Sequence, residues 1–226
     1  MTMRTTTLSS YGLGTFDDSY NGLTSTSSWA GARGTATSLS TIRSDSVSSS
    51  DFGVYSRYVS ARGVNTYYNY RSYFTWNLSS IIGVVASVEV RMYLDNLGTT
   101  GSPAQIVPVK ATLIEGGNED YGNCFSSGLT LGTKLATQQE VSTTAGFHFF
   151  VFNADGISEV AALVGTPTAF SLGFMSYGAD YRGSPVPSLG GDYTKIKVYY
   201  DEAGGNGPLM SIVHEPPSAI FMGHNF

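Results

Sequence analysis

Residues 71–95 read R-S-Y-F-T-W-N-L-S-S-I-I-G-V-V-A-S-V-E-V-R-M-Y-L-D, and their parity decides the fold class. Phe74, Trp76 and Leu78 share one face of an extended chain, and Tyr73, Thr75 and Asn77 share the other. Further on, Val84, Ala86, Val88, Val90, Met92 and Leu94 alternate with Ser87, Glu89, Arg91, Tyr93 and Asp95. A period of two over this length marks a β-strand with one buried and one wet face. The segment 79–83, Ser-Ser-Ile-Ile-Gly, breaks the pattern and separates two strands.

The same alternation recurs along the chain. Phe52, Val54, Ser56 and Tyr58 predict a strand, and Val107, Val109, Ala111 and Leu113 predict another over 105–114. Pro108 removes a backbone donor from the latter, which predicts an edge strand or a bulge. Residues 147–152, Phe-His-Phe-Phe-Val-Phe, are apolar on both parities, as a strand covered on both faces would be. Ile157, Val160, Ala161 and Val164 give a brief helical period over 158–164, stopped by Gly165 and Pro167. Phe170, Leu172 and Phe174, then Ile196, Val198 and Tyr200, point inward from two further strands. Roughly eight or nine strands with turn signals between them and almost no helix predict an all-β fold. The expected architecture is a two-sheet antiparallel sandwich of jelly-roll type with extended N- and C-terminal arms.

The pattern of Arg71, Phe74-x-Trp76, the turn Asn77-Leu78-Ser79-Ser80-Ile81, Gly83 and the strand carrying Val88, Arg91, Tyr93 and Leu94 resembles the DNRLRE-type domain. Later echoes are F-H-F-F-V-F-N at 147–153, D-G-I-S-E-V-A-A-L-V at 155–164, A-F-S-L-G-F at 169–174 and Y-T-K-I-K-V-Y-Y-D at 193–201. The resemblance spans roughly 52–202 and implies a jelly-roll sandwich of the kind found in secreted bacterial surface and carbohydrate-associated proteins. Its motifs are core-forming and imply no activity.

Composition bounds the rest. The chain has 226 residues, enough for one sandwich with a sizeable core, and 13% of them are charged. Fifteen tyrosines and many Gly, Ser and Thr residues suit strand surfaces and turns. A net charge of −5 with no Lys/Arg run argues against nucleic acid as a partner. One cysteine, Cys124, excludes an internal disulfide framework and a Cys-based zinc site. No apolar run approaches the ~20 residues that span a bilayer, so no membrane span is expected. The first residues lack an apolar signal core. That fits a surface-type domain assembled into a particle in the cytoplasm, or a leader removed before the chain begins.

Three segments are expected: a Ser/Thr-rich extended stretch at 1–50, the sandwich at 51–202, and a linker with an apolar assembly arm at 203–226. The linker is Ala203-Gly-Gly-Asn-Gly-Pro208. The arm carries Leu209, Met210, Ile212 and Val213, then Ile220, Phe221, Met222 and Phe226. Such side chains each gain about 1.5–3 kcal/mol from burial, so they are expected to dock, preferentially onto another subunit.

Catalytic chemistry is sparse. His148 sits in an aromatic strand and reads as structural, and no G-x-S-x-G elbow accompanies any of the three histidines. His214-Glu215 begins like H-E-x-x-H, but position 218 is Ser and Pro216-Pro217 forbid the helix. The acids Asp17, Asp18, Glu89, Glu115, Glu119 and Asp120 form no recognisable glycosidase pair in sequence. The loop at 115–123 offers oxygen ligands for calcium without the spacing of a known calcium loop. No catalytic residue, metal or cofactor is expected. The best binding candidate is the cluster Tyr55, Arg57, Tyr58, Arg62, Tyr67, Tyr68, Tyr70, Arg71 and Tyr73, since Tyr and Arg recur at interfaces and sugar-stacking surfaces. The expected function is a non-enzymatic structural subunit of a bacteriophage virion: a capsid decoration, head-fibre or tail-associated protein, joining other virion proteins and copies of itself. A carbohydrate-binding module, directed at host-surface polysaccharide, is the alternative.

Overall fold

A computed structural model describes residues 3–9, 19–26, 41–42, 53–62, 64–96, 104–111, 133–184, 191–199 and 206–217. The fold is all-β, with two antiparallel sheets packed together as a sandwich. Its strands are β1 (Arg4–Ser9), β2 (Ser19–Thr26), β3 (Thr41–Ile42), β4 (Gly53–Ala61), β5 (Val64–Trp76), β6 (Val84–Asn96), β7 (Gln105–Lys110), β8 (Gln139–Glu140), β9 (Gly146–Val151), β10 (Phe170–Ser176), β11 (Gly191–Tyr199) and β12 (Leu209–Glu215). One helix, α1 (Ala154–Ala161), follows β9, and a π-turn (Tyr177–Tyr181) follows β10.

The quoted stretch is the hinge of this architecture. β5 and β6 have 13 residues each and would extend about 43 Å, more than one sheet edge needs. Each changes partner part-way. β5 pairs with β4 over 64–70 and with β10 over 72–76, while β2 takes its other edge over 67–74. β6 pairs with β12 over 84–91 and with β11 over 93–96, with β9 on its other edge over 89–94. The turn between them forms as its residues dictate. Asn77 Oδ1 accepts from the Ser79 amide at 2.9 Å, and the Ile81 amide donates to Leu78 O at 3.1 Å.

The predicted inward face of β5 and most of that of β6 are the core. Phe74, Trp76, Leu78, Val88, Val90, Met92 and Leu94 are buried. The layers meet through aromatic rings on strands that share no hydrogen bonds: Phe150 of β9 lies 5.3 Å from Phe174 of β10 in an edge-on contact, and Phe152 lies 6.0 Å from Phe170. At the start of β6 the parity fails. Val213 pairs with Ser87 and His214 with Val85, so Ala86 is an extra residue on β6. This bulge turns Val85 inward and leaves Val84 70% exposed, contrary to the uninterrupted alternation expected from sequence.

Three further expectations are corrected. The helix begins at Ala154 rather than 158, because Asn153 caps it: Asn153 Oδ1 accepts from the Gly156 amide at 2.9 Å, and Asn153 Nδ2 donates to Lys134 O at 2.9 Å. The strand β9 is covered on one face only. Phe150 is fully buried, whereas Phe147, Phe149 and Val151 are 43%, 48% and 62% exposed. Finally, 209–215 is not a free arm. It is β12, inserted between β1 and β6, with Met210 and Ile212 buried in the domain's own core. The alternation of its apolar residues matches the pleat, which is why the segment joins the sheet. Leu209 and Val213 are half-buried on the opposite face. Ile220, Phe221, Met222 and Phe226 lie outside the described residues, as do Cys124 and the loop 115–123.

The edge strand or bulge expected at Pro108 is not what the structure has: β7 pairs with β10 on one side and with β8 on the other, without a register shift. The Pro108 carbonyl accepts from the Leu135 amide, so its nitrogen faces the short segment beside β8 rather than the continuous partner β10.

Candidate functional site

Of the tyrosine–arginine cluster, the described side chains of Tyr58, Tyr67 and Arg71 support another element. Across β4 and β5, Tyr55 pairs with Tyr70, Arg57 with Tyr68, and Tyr58 with Tyr67; Tyr73 pairs with Gly173 of β10. The side chains of Tyr55, Arg57, Tyr68, Tyr70 and Tyr73 lie outside what is described. Tyr58 is buried and Tyr67 half-buried; their rings lie 5.0 Å apart and pack against Ala179 of the π-turn. Arg71 is also buried. Its Nε and Nη2 donate to Asp180 Oδ2 and Oδ1 at 2.6 and 2.8 Å, a bidentate pair with both side chains out of water. Arg62, at the tip of the β4–β5 hairpin with φ of 52°, is exposed.

The element held in this way is unusual. The Arg182 amide donates to Tyr177 O at 2.9 Å and closes an i→i+5 turn, and the Ser184 amide donates to Gly178 O at 3.0 Å. Five-residue turns closed in this i→i+5 fashion are rare. Here the turn stacks Tyr177 on Tyr181, with centroids 5.7 Å apart and planes 18° apart. The Lys134 ammonium and the Arg182 guanidinium lie 5.8 and 6.0 Å from the Tyr177 ring centre. Sequence reading missed Tyr177, Tyr181 and Arg182; the only local signal was the Y-G-A-D-Y-R run itself.

The second candidate is the outer face of the sheet β1–β12–β6–β9. The exposed large apolar residues among those described are Met3, Ile82, Val84, Phe147, Phe149 and Val151, and every one lies on or beside these strands. Register places Phe149, Arg91 and Leu209 in one row across the sheet, and Val151, Glu89 and Ser211 in the next. Tyr93 meets Phe147 edge-on at 5.0 Å, and the Arg91 guanidinium covers the other side of the stripe, 4.4 Å from the Phe147 centroid. Among the described strands β9 pairs with β6 alone, and Gln139 Nε2 donates to Phe149 O on its other edge.

The two described histidines have structural surroundings. His214 Nδ1 donates to Ile82 O at 2.8 Å, and in the neutral ring Nε2 accepts from the Thr6 hydroxyl at 3.0 Å, tying β12 to β1 and to the 79–83 turn. His148 is paired with Met92 on the inward parity of β9, and burial pushes its pKa below the usual imidazole value. Among the described residues no three His, Cys, Asp or Glu side chains come together as metal ligands, and no helix is long and apolar enough to cross a membrane.

Compared with known proteins, the chain matches no protein family and no curated sequence.

Proposed function

We propose that this protein is a non-enzymatic structural subunit of the kind from which bacteriophage virions are built, serving as a capsid decoration, head-fibre or tail-associated protein, and that it assembles through the outer face of the β1–β12–β6–β9 sheet with a second copy of itself. What supports this reading is the gathering of exposed large apolar side chains on that one sheet. Patches of this kind on a folded domain mark association surfaces. The two ends of the described chain build the sheet, since β1 and β12 pair along their lengths. β1 and β12 therefore contribute to docking as strands of that sheet. The resemblance of roughly 52–202 to DNRLRE-type domains would fit a surface-type sandwich and rests on core residues.

Self-pairing is favoured by the charge order. A two-fold axis crossing the strands midway between Glu89 and Arg91 lays Arg91 of one copy over Glu89 of the other, and Phe149 over Val151. The surface is thus complementary to itself, as an isologous interface requires.

Light scattering on the full chain tests this. The native protein is expected to self-associate, and Phe149→Glu, Glu89→Arg and Arg91→Glu each to give a monomer. The double exchange Glu89→Arg/Arg91→Glu restores association, because the charges again face their opposites. A native monomer at every attainable concentration, or a double exchange no better than the singles, refutes the self-docking face. Hydrolytic turnover of a glycan or ester by the purified protein would refute the non-enzymatic role. Carbohydrate recognition is the second reading, favoured by the Tyr177–Tyr181 pair rather than by the cluster expected from sequence.

A further inference from the structure

We propose that Tyr177, Tyr181, Arg182 and Lys134 form a binding site for a carboxylate-bearing saccharide. The first support is the way the turn is held. A fully buried bidentate ion pair is costly to desolvate and stabilises a fold only when its geometry is good. Arg71 and Asp180 meet that condition, and the pair anchors a five-residue turn against β5 from 109 positions away in the chain. The result is a pair of tyrosines fixed before any ligand arrives, which lowers the ordering cost of binding.

The second support is local charge. The chain carries a net charge of −5, yet Lys134 and Arg182 converge on the Tyr177 ring with no carboxylate partner among the described residues. Among the described residues, Lys134 donates to the neutral Gln138 Oε1, at 3.1 Å. Among the described acids, Glu159 pairs with Lys110 at 2.6 Å, and Asp180 pairs with Arg71. Two cations beside an aromatic platform attract an anion that also has an apolar face.

A uronic acid unit has both features. Its C–H face packs on an aromatic ring, its hydroxyls pair with the tyrosine hydroxyls, and its carboxylate suits the planar guanidinium fork. Nucleic acid fits less well, since its affinity comes from many phosphate contacts and the described residues place two cations here. An acidic peptide fits less well because peptide recognition draws on open backbone groups. Here the Arg182 and Ser184 amides are spent within the turn.

Titration calorimetry of the full chain with tetragalacturonate, and with neutral maltotetraose, tests the site. Tetragalacturonate is expected to bind saturably, more weakly as salt rises, and maltotetraose at least about ten-fold more weakly, a difference of ~1.4 kcal/mol. Tyr177→Ala and Arg182→Ala each lose at least ten-fold in affinity, and Arg182→Lys falls between. Should Tyr177→Ala unfold, Tyr177→Phe, which keeps the stack and loses the hydroxyl, takes its place and is expected to weaken binding. Equal binding of the two tetrasaccharides, or unchanged affinity in Arg182→Ala, overturns the proposal. So does tighter binding of hexa-adenylate or of an oligoglutamate peptide at the same ionic strength. Phe149→Glu on the docking sheet leaves saccharide binding unaltered, which separates this site from the assembly face.

Discussion

Arg71 and Asp180 form a closed electrostatic unit: two guanidinium nitrogens meet two carboxylate oxygens at 2.6 and 2.8 Å, with both side chains buried. Removing one partner strands a charge in a low-dielectric interior. Arg71→Met and Asp180→Leu are each expected to destabilise the fold by about 3–5 kcal/mol. The double variant is expected to lose less than either single one, because no uncompensated charge remains. Urea unfolding of the three proteins measures this, and additive losses would show that the residues act separately.

The turn between β5 and β6 makes a prediction about glycine. Gly83 has φ of +107°, and a Cβ there would clash with the Glu215 carbonyl oxygen. Gly83→Ala therefore has to displace the end of β12, with an expected loss of about 2–4 kcal/mol. Gly146 has open space around its Cβ position, so Gly146→Ala is expected to stay within about 0.5 kcal/mol of the native protein. Thermal unfolding of the two variants gives the comparison.

The cap of α1 is separable from its packing. Asn153→Ala removes both the acceptor for the Gly156 amide and the donor to Lys134 O. The expected loss is about 1–2 kcal/mol. Asn153→Asp keeps the acceptor and is expected to recover part of that loss, as read by denaturant midpoint.

His148 gives the fold a pH dependence of known sign. Burial lowers its pKa in the folded protein below the ordinary imidazole value. The unfolded chain therefore binds a proton more readily, and stability rises with pH wherever that is so. The contribution is fully present above the unfolded pKa of about 6.5 and is lost as pH falls through the lower folded value. Chemical denaturation between about pH 5 and 8 is expected to show this slope, and His148→Gln to flatten it. A stability that rose on acidification through that window would contradict the assignment.

Much of this protein was legible in its residues because strand periodicity is a local property. Alternation at 74–78 and 88–94 and the Asn77 turn each depend on neighbours a few positions away, and the structure agrees with both. What the sequence could not state is which faces the rest of the chain would cover. Residues 147–152 are apolar on both parities, but only Phe150 and Phe152 meet the opposite sheet. The apolar run at 209–213 reads as an anchor for a partner, yet an unfilled place between β1 and β6 takes it in. Ala86 interrupts a perfect alternation because β12 advances one residue while β6 advances two. Likewise, Arg71 reads as one more cation in a tyrosine cluster until the fold brings Asp180 to it. Periodicity set the strands and their inward sides; long-range pairing, with its obligation to satisfy buried charge and backbone, decided which surfaces remain for function.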